Sequence, residues 1–347
     1  MKLVGMVLSI GLMVGPAISA MAADPITGAG STFASPLLVQ WAAAANQAIG
    51  VAVDYRAVGS GIGIQRINNG AVTFAATDMP LTPDDVAADH LVQFPLVGGA
   101  VVPVFNLPGI ASGALTVDGP TIAKIFLGQI RRWDDPAIAS LNPHLTLPHI
   151  RISVVHRADA SGTTFIWTDY LTKVSPEWQS KIGEDLVIGW PVGIGAKGND
   201  GISTEVSETI GAIGYIEYAY AKLGHLSFAR LINRAGKPVT PMPAAFRAAA
   251  AGTDWKHAPD FHVLMTDARG DASWPIVGAT FILMRSDALD PAGSAAALKF
   301  FDWAYKRGSG AATDLGYVPM PENVVTSIEE VWAEKIRTER GAPVFRR

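Results

Sequence analysis

The 347-residue chain contains no cysteine. That absence excludes disulfides, any structural metal site built on thiolates, and the N-terminal lipidated thiol of a bacterial lipoprotein. Strong charge of either sign is also missing, since 27 Lys and Arg stand against 31 Asp and Glu for a formal net charge of −4. Such a balance carries no nucleic-acid footprint. Beyond the N-terminal segment no apolar run qualifies as a membrane-spanning helix. Gly-x-Ser-x-Gly and the long P-loop pattern ending in Gly-Lys-Ser/Thr are both absent. The histidines show no zinc-binding spacing, and strand alternation turns His156 away from the side its neighbour Arg157 faces. A hydrolase needs a metal or an activated nucleophile, and neither has a signature here.

The first residues read as an export signal. Lys2 precedes an apolar run over residues 3–19, broken by Gly5, Gly11, Gly15 and Pro16 and followed by Ala20-Met21-Ala22. Its length is marginal for a membrane span, and its breakers and small residues favour removal over anchoring. The expected cut follows Ala22, with Ala20 or Ala23 as alternatives, so residues 1–22 are a signal peptide and the mature chain works in solution in the periplasm. Losing Lys2 makes the net charge one unit more negative. About 325 residues remain, more than one ordinary core holds, and two domains are expected.

Glycine meets small hydroxyl residues in three places: Gly28-Ala29-Gly30-Ser31-Thr32-Phe33, Gly59-Ser60-Gly61-Ile62-Gly63, and Arg157-Ala158-Asp159-Ala160-Ser161-Gly162-Thr163-Thr164. Each stands just ahead of a helix-like run. A helix N-terminus leaves its first N–H groups without intrahelical partners and carries roughly half a positive charge. Any one segment reads equally as a cap or turn; three together, with Arg157 and with Asp78 closing an apolar strand-like run, point to a compact tetrahedral anion. A fourth glycine-rich stretch, residues 193–201, is open to reading as a surface turn.

Short strands and helices alternate along the chain. Residues 51–55 and 72–76 are strand-like, and residues 62–67 are helix-like before an Asn68-Asn69-Gly70 turn. That alternation predicts an α/β layer structure. Helices are expected over 37–46 after Pro36, from Thr82-Pro83, from Gly119-Pro120 to Phe126, from Ser175-Pro176, and from Asp290-Pro291 to Tyr305. Ser327 with Glu330 makes a capping-box pattern for a last helix to about Ile336, leaving 337–347 as a poorly ordered polar tail. Trp133, Trp167 and the other tryptophans read as packing residues. Residues 94–105 and 274–284 are apolar and strand-like. If they are paired connections between lobes, residues 23–100 and 280–347 form one lobe and 101–279 an inserted second; two domains in series remain the alternative.

The segments at 28–35, 59–64 and 157–165, with Thr77-Asp78-Met79-Pro80, Leu127-Gly128-Gln129-Ile130, Trp133-Asp134-Asp135-Pro136, Thr280-Phe281-Ile282-Leu283 and Phe301-Asp302-Trp303-Ala304, resemble the motifs of the periplasmic phosphate-binding protein family of bacterial phosphate-specific ABC transporters. The resemblance runs in order through nearly the whole mature chain. It implies an α/β, two-lobed periplasmic-binding-protein fold of type II, the Venus flytrap, each lobe a mixed sheet flanked by helices. Inorganic phosphate would lie in the cleft between lobes, and the monomeric closed form would be presented to an inner-membrane ABC permease, with no cofactor, metal or nucleic acid involved. Carried over by position, the phosphate contacts would be Thr32, Phe33 (through its N–H), Ser60, Asp78, Arg157, Ser161, Gly162 and Thr163. Asp159, Ser31 and Thr164 would be supporting neighbours.

These residue types suit the ligand. Arg157 offers phosphate a charge-assisted fork, or else pairs with Asp159, or does both. Asp78 would repel an anion unless the anion carries a proton to donate. Phosphate near neutrality does and sulfate does not, so a desolvated Asp78 selects between them through an unpaired-group penalty. A non-transport oxyanion-binding scaffold or surface protein, and a secreted phosphohydrolase, are the alternative functions.

Overall fold

The computed structural model describes residues 24–345, so the expected signal peptide at 1–22 lies outside the described residues. A first stretch of chain runs β1 (Ile26–Gly30), α1 (Ser35–Ile49), β2 (Val53–Ala57), α2 (Ser60–Asn68), β3 (Phe74–Thr77), α3 (Pro83–Ala88) and the long β4 (Leu91–Phe105). A second runs β5 (Thr116–Asp118), α4 (Gly119–Phe126), α5 (Pro136–Ala139), β6 (Ser153–Arg157), α6 (Gly162–Val174), α7 (Pro176–Lys181), β7 (Ile194–Ala196), α8 (Gly198–Glu208), β8 (Ala212–Glu217), α9 (Tyr218–Leu223), β9 (Ser227–Phe228), β10 (Arg230–Ile232), β11 (Pro238–Val239) and α10 (Pro243–Ala250). The chain returns through β12 (Val277–Arg285), α11 (Pro291–Arg307), α12 (Ser309–Leu315), β13 (Val318–Pro319) and α13 (Glu322–Lys335).

The main sheet has the order β2-β1-β3-β12-β4-β8-β6-β7, with β13 and β9 also pairing with β4. β1 lies parallel to β2 and β3, as crossovers through α1 and α2 require, whereas β12 is antiparallel to β3 and β4. β4 is buried along its whole length and belongs to two lobes in succession. Up to Ala100 it pairs with β12; from Val101 to Phe105 it pairs with β8. At the change of partner Val101 donates its N–H to Ile276 O (2.9 Å) and accepts from Trp274 Nε1 (3.0 Å). Pro95 is tolerated inside this strand because the β12 register shifts between Thr280 and Phe281, opposite it. The result is a two-lobed α/β fold of mixed sheets flanked by helices.

Sequence-level helix starts recur where a cap or proline marks them. Thr82 Oγ1 accepts from Asp85 N–H, Ser175 Oγ from Trp178 N–H, and Asp290 from Ala292 and Gly293 N–H. Two expectations fail at the C-terminal end. The last helix starts at Glu322, not behind a Ser327 cap; Ser327 lies inside α13 and its hydroxyl bonds back to Asn323 O at 3.2 Å. Residues 337–345 are not a loose tail either. Arg337 N–H donates to Ser286 O, Val344 N–H to Ile336 O, and the Phe345 ring meets Trp332 edge-on with 5.2 Å between centroids. Trp133 and Trp167 are fully buried, as packing residues should be.

Candidate functional site

Four helix N-termini converge beside the crossing strand: those of α2, α6 and α8, and the turn at residues 31–34 that feeds α1. Ser161 caps α6 by accepting from Thr164 N–H at 3.1 Å, which leaves the N–H groups of Gly162 and Thr163 at its first turn to an outside acceptor. Gly59, at φ 95°, turns the chain into α2, and Gly61 N–H donates to Ala160 O at 3.1 Å. At Gly162 a side chain would collide: a Cβ there would lie 2.5 Å from both Asp78 Oδ2 and Ser60 Oγ. Glycine is what lets α6 approach the loop after β3.

The turn at 31–34 is fixed by tyrosines from three places. Tyr55, Tyr220 and Tyr317 each donate a hydroxyl, at 2.7 Å, to the carbonyls of Ser31, Thr32 and Phe33 in turn. With three successive carbonyls held outward, the turn's polarity toward the site is that of its N–H and hydroxyl groups. Phe33 N–H itself, expected to face the anion, donates to Ser31 Oγ at 2.9 Å, and the Phe33 ring packs against Tyr317 in the core.

Asp78 is buried at the end of β3. Its carboxylate accepts from Ser31 Oγ at 2.7 and 2.8 Å and from Thr280 Oγ1 at 2.7 Å, and its N–H donates to Ser60 Oγ. Burial pushes its pKa up to about 6, although Ser31, Thr280 and the Arg157 charge oppose the shift. At neutral pH it is therefore mainly an ionised acceptor in a desolvated place.

Arg157, its side chain 1% exposed, forms the ion pair with Asp159. Nε and Nη2 grip Asp159 at 2.7 and 2.5 Å, and Nη1 points along Thr163 Oγ1 at 3.3 Å. Burial alone would raise Asp159, but the guanidinium and Gly198 N–H hold its carboxyl below the usual range. The fork is thus oriented by Asp159, with its far edge directed into the cluster. Thr164 instead meets the Tyr215 hydroxyl at 2.6 Å, and that hydroxyl also takes Arg157 N–H at 3.1 Å. Thr164 supports the strand that carries Arg157.

All eight expected contact residues thus fall into one hydrogen-bonded neighbourhood drawn from both stretches of chain. Sequence reasoning missed Asn199, Thr280, Glu217 and the tyrosines. Asn199 is wholly buried; its Nδ2 donates to Thr32 Oγ1 at 2.8 Å and Thr163 Oγ1 at 3.4 Å, while Oδ1 accepts from Glu217 N–H. The stretch 193–201 is accordingly no mere surface turn: it supplies β7 and the start of α8. Gly198-Asn199 ahead of a helix was the available signal, the same pattern as the other three segments.

Residues 15–307 match the family model described as a PBP superfamily domain. The phosphate-binding protein PstS of Pasteurella multocida is 45% identical over 323 residues, covering 93% of this chain and 94% of that protein. PstS of Methanocaldococcus jannaschii is 34% identical over 298 residues, covering 79% and 76%. Among solved structures, a high-affinity periplasmic phosphate-binding protein (PfluDING) bound with phosphate aligns with TM-score 0.74 at 22% identity, covering 89% of this chain and 94% of that one. A phosphate-binding protein from Stenotrophomonas maltophilia aligns with TM-score 0.69 at 19% identity, covering 92% and 96%. At these identities the solved structures speak for the fold.

Proposed function

The chain belongs to the phosphate-binding protein family within the PBP superfamily, and from that membership we propose that it binds inorganic phosphate in the periplasm and hands it to an inner-membrane ABC-type permease for import. The family is one of transport receptors, not of enzymes. The mature protein acts as a soluble monomer after cleavage following Ala22. Its lobes are residues 23–100 with 280–347, and 101–279; the change of partner along β4 at Ala100 and Val101 supports the first boundary, and the return into β12 just ahead of residue 280 supports the second.

Phosphate contacts are assigned to Thr32, Ser60, Asp78, Arg157, Ser161, Gly162 and Thr163, and to Phe33 through its N–H where the anion shares or replaces Ser31 Oγ as acceptor. The observation that carries this reading is one buried carboxylate, Asp78, set among hydroxyl, N–H and guanidinium donors. Such a site suits a tetrahedral anion that keeps one proton. Helix N-termini and Arg157 take its bare oxygens, and Asp78 takes its P–OH. Sulfate brings Asp78 only acceptors.

Calorimetric titration of ligand-stripped protein with phosphate, then in excess sulfate at neutral pH, tests the function. One phosphate per chain that sulfate does not displace is expected. Folded protein that binds no phosphate overturns the reading. In the same assay Asp78→Asn is expected to narrow the preference for phosphate over sulfate by about tenfold or more, because the amide can donate to a bare oxygen. The wild-type preference should also narrow as pH falls through about 6, where Asp78 takes up a proton. Unchanged selectivity in the variant would remove Asp78 from that role.

A further inference from the structure

The side-chain amide of Asn199 has a fixed orientation. Its Oδ1 accepts from Glu217 N–H at 3.1 Å, and because a backbone N–H only donates, the NH2 end must face the cleft. That end has two protons and two partners: Thr32 Oγ1 before α1, and Thr163 Oγ1 in the first turn of α6. Both hydroxyl oxygens are thereby acceptors toward Asn199. Thr163 Oγ1 accepts from Arg157 Nη1 as well. A hydroxyl whose oxygen is engaged by protein donors has its own proton left to give.

We propose that Asn199 is a positioning residue that sets Thr32 and Thr163, on opposite sides of the cleft, as proton donors to the anion, so that this end of the site takes only unprotonated phosphate oxygens. The inference rests on reading the cluster as a phosphate site. It gives the cleft two chemically distinct ends: a donor-only end organised by Asn199, and an acceptor end at Asp78. The same amide joins a hydroxyl from each stretch of chain, so its two bonds are made together only when the lobes meet.

Two substitutions separate polarity from packing. Asn199→Asp keeps the shape but, when ionised, accepts from both hydroxyls and turns their protons away; Asn199→Ala removes the constraint without adding an acceptor. In calorimetric titrations of the full mature protein with inorganic phosphate at pH 8, affinity is expected to fall about tenfold in Asn199→Ala and more than about a hundredfold in Asn199→Asp. At pH 5.5 the gap between the two variants should close as the introduced carboxyl takes up a proton and can donate again. Arg157 and Asp159 from the β6 end, Glu217 of β8, Asp200 of α8, Tyr220 of α9 and Asp78 are the charged and ionisable groups around the amide, and they are common to both variants, so they cancel in that comparison. A packing role alone would cost the variants alike at either pH. Equal losses independent of pH, or affinities within about threefold of wild type, overturn the inference. If Asn199→Asp does not fold, Asn199→Leu takes its place, and near-wild-type phosphate affinity in that variant overturns it equally. A wild-type chain that binds no phosphate brings down the functional reading first.

Discussion

Arg157→Ala is expected to weaken phosphate binding by about a thousandfold and sulfate binding in proportion, leaving the ratio of the two unchanged. The guanidinium is almost wholly buried and Asp159, 11% exposed, is held against two of its nitrogens. Truncation therefore does more than delete donors. It strands the Asp159 carboxylate next to an incoming anion, and breaking one side of a buried pair typically costs ~3–5 kcal/mol. Arg157→Lys restores the charge without the fork that lets Asp159 and an oxyanion be held at once, so recovery should be partial. Calorimetry with both anions decides it: phosphate affinity that survives the alanine change removes Arg157 from the contacts, and a loss confined to phosphate assigns it the selective role proposed for Asp78.

Glu217→Gln is expected to flatten the dependence of stability on pH. Glu217 ends β8 and is fully buried; its Oε2 accepts from Ala219 N–H at 2.9 Å and lies 3.1 Å from the Tyr317 hydroxyl, while Oε1 has no hydrogen-bond partner among the described residues. Tyr317 has one proton, and Phe33 O, 2.7 Å away, can only accept it. A neutral Glu217 can donate to the same hydroxyl, which an ionised one cannot. Burial pushes the carboxyl up to about 8, although the bond from Ala219 N–H opposes the shift. The folded chain thus keeps a proton that the unfolded chain releases near the ordinary glutamate value, so stability is full below that value and falls as pH rises through about 8. Asp78, raised to about 6, acts in the same direction over a narrower window. The glutamine variant removes the larger part of the slope, on the order of 4 kcal/mol between its ends. Denaturant unfolding of phosphate-free protein from pH 4.5 to 9 measures it. A wild-type profile that is flat, or a variant that keeps the slope, rules out the neutral Glu217.

Much of the site was legible because its parts are local. Ser161 capping α6, Gly59 turning into α2, and Asp159 two residues from Arg157 all follow from neighbours in the chain. What was hidden is long-range. The hydroxyls that hold the carbonyls of residues 31–33 come from 24, 188 and 284 positions away, and a tyrosine in a sequence does not announce its acceptor. Thr280, 202 positions from Asp78, is reached only through the β3–β12 pairing. The misplaced start of α13 has the opposite cause. Ser327 and Glu330 match a capping box locally, but helix formation begins upstream behind Pro321, and the serine finds an acceptor within the helix it was expected to open. The folded-back end depends on Trp332 offering Phe345 a surface, which composition alone does not reveal.

β4 has a consequence for how the molecule melts. Two-lobed proteins commonly lose their halves in separate steps. Here one strand supplies the pairing edge of both, with residues 91–100 set against β12 and Val101–Phe105 set against β8. Releasing either half strips partners from a strand that is buried end to end, and the unpaired backbone groups propagate the damage across the junction. Heating should therefore give a single calorimetric transition whose van't Hoff and calorimetric enthalpies agree, the signature of a chain that has two lobes and one cooperative unit.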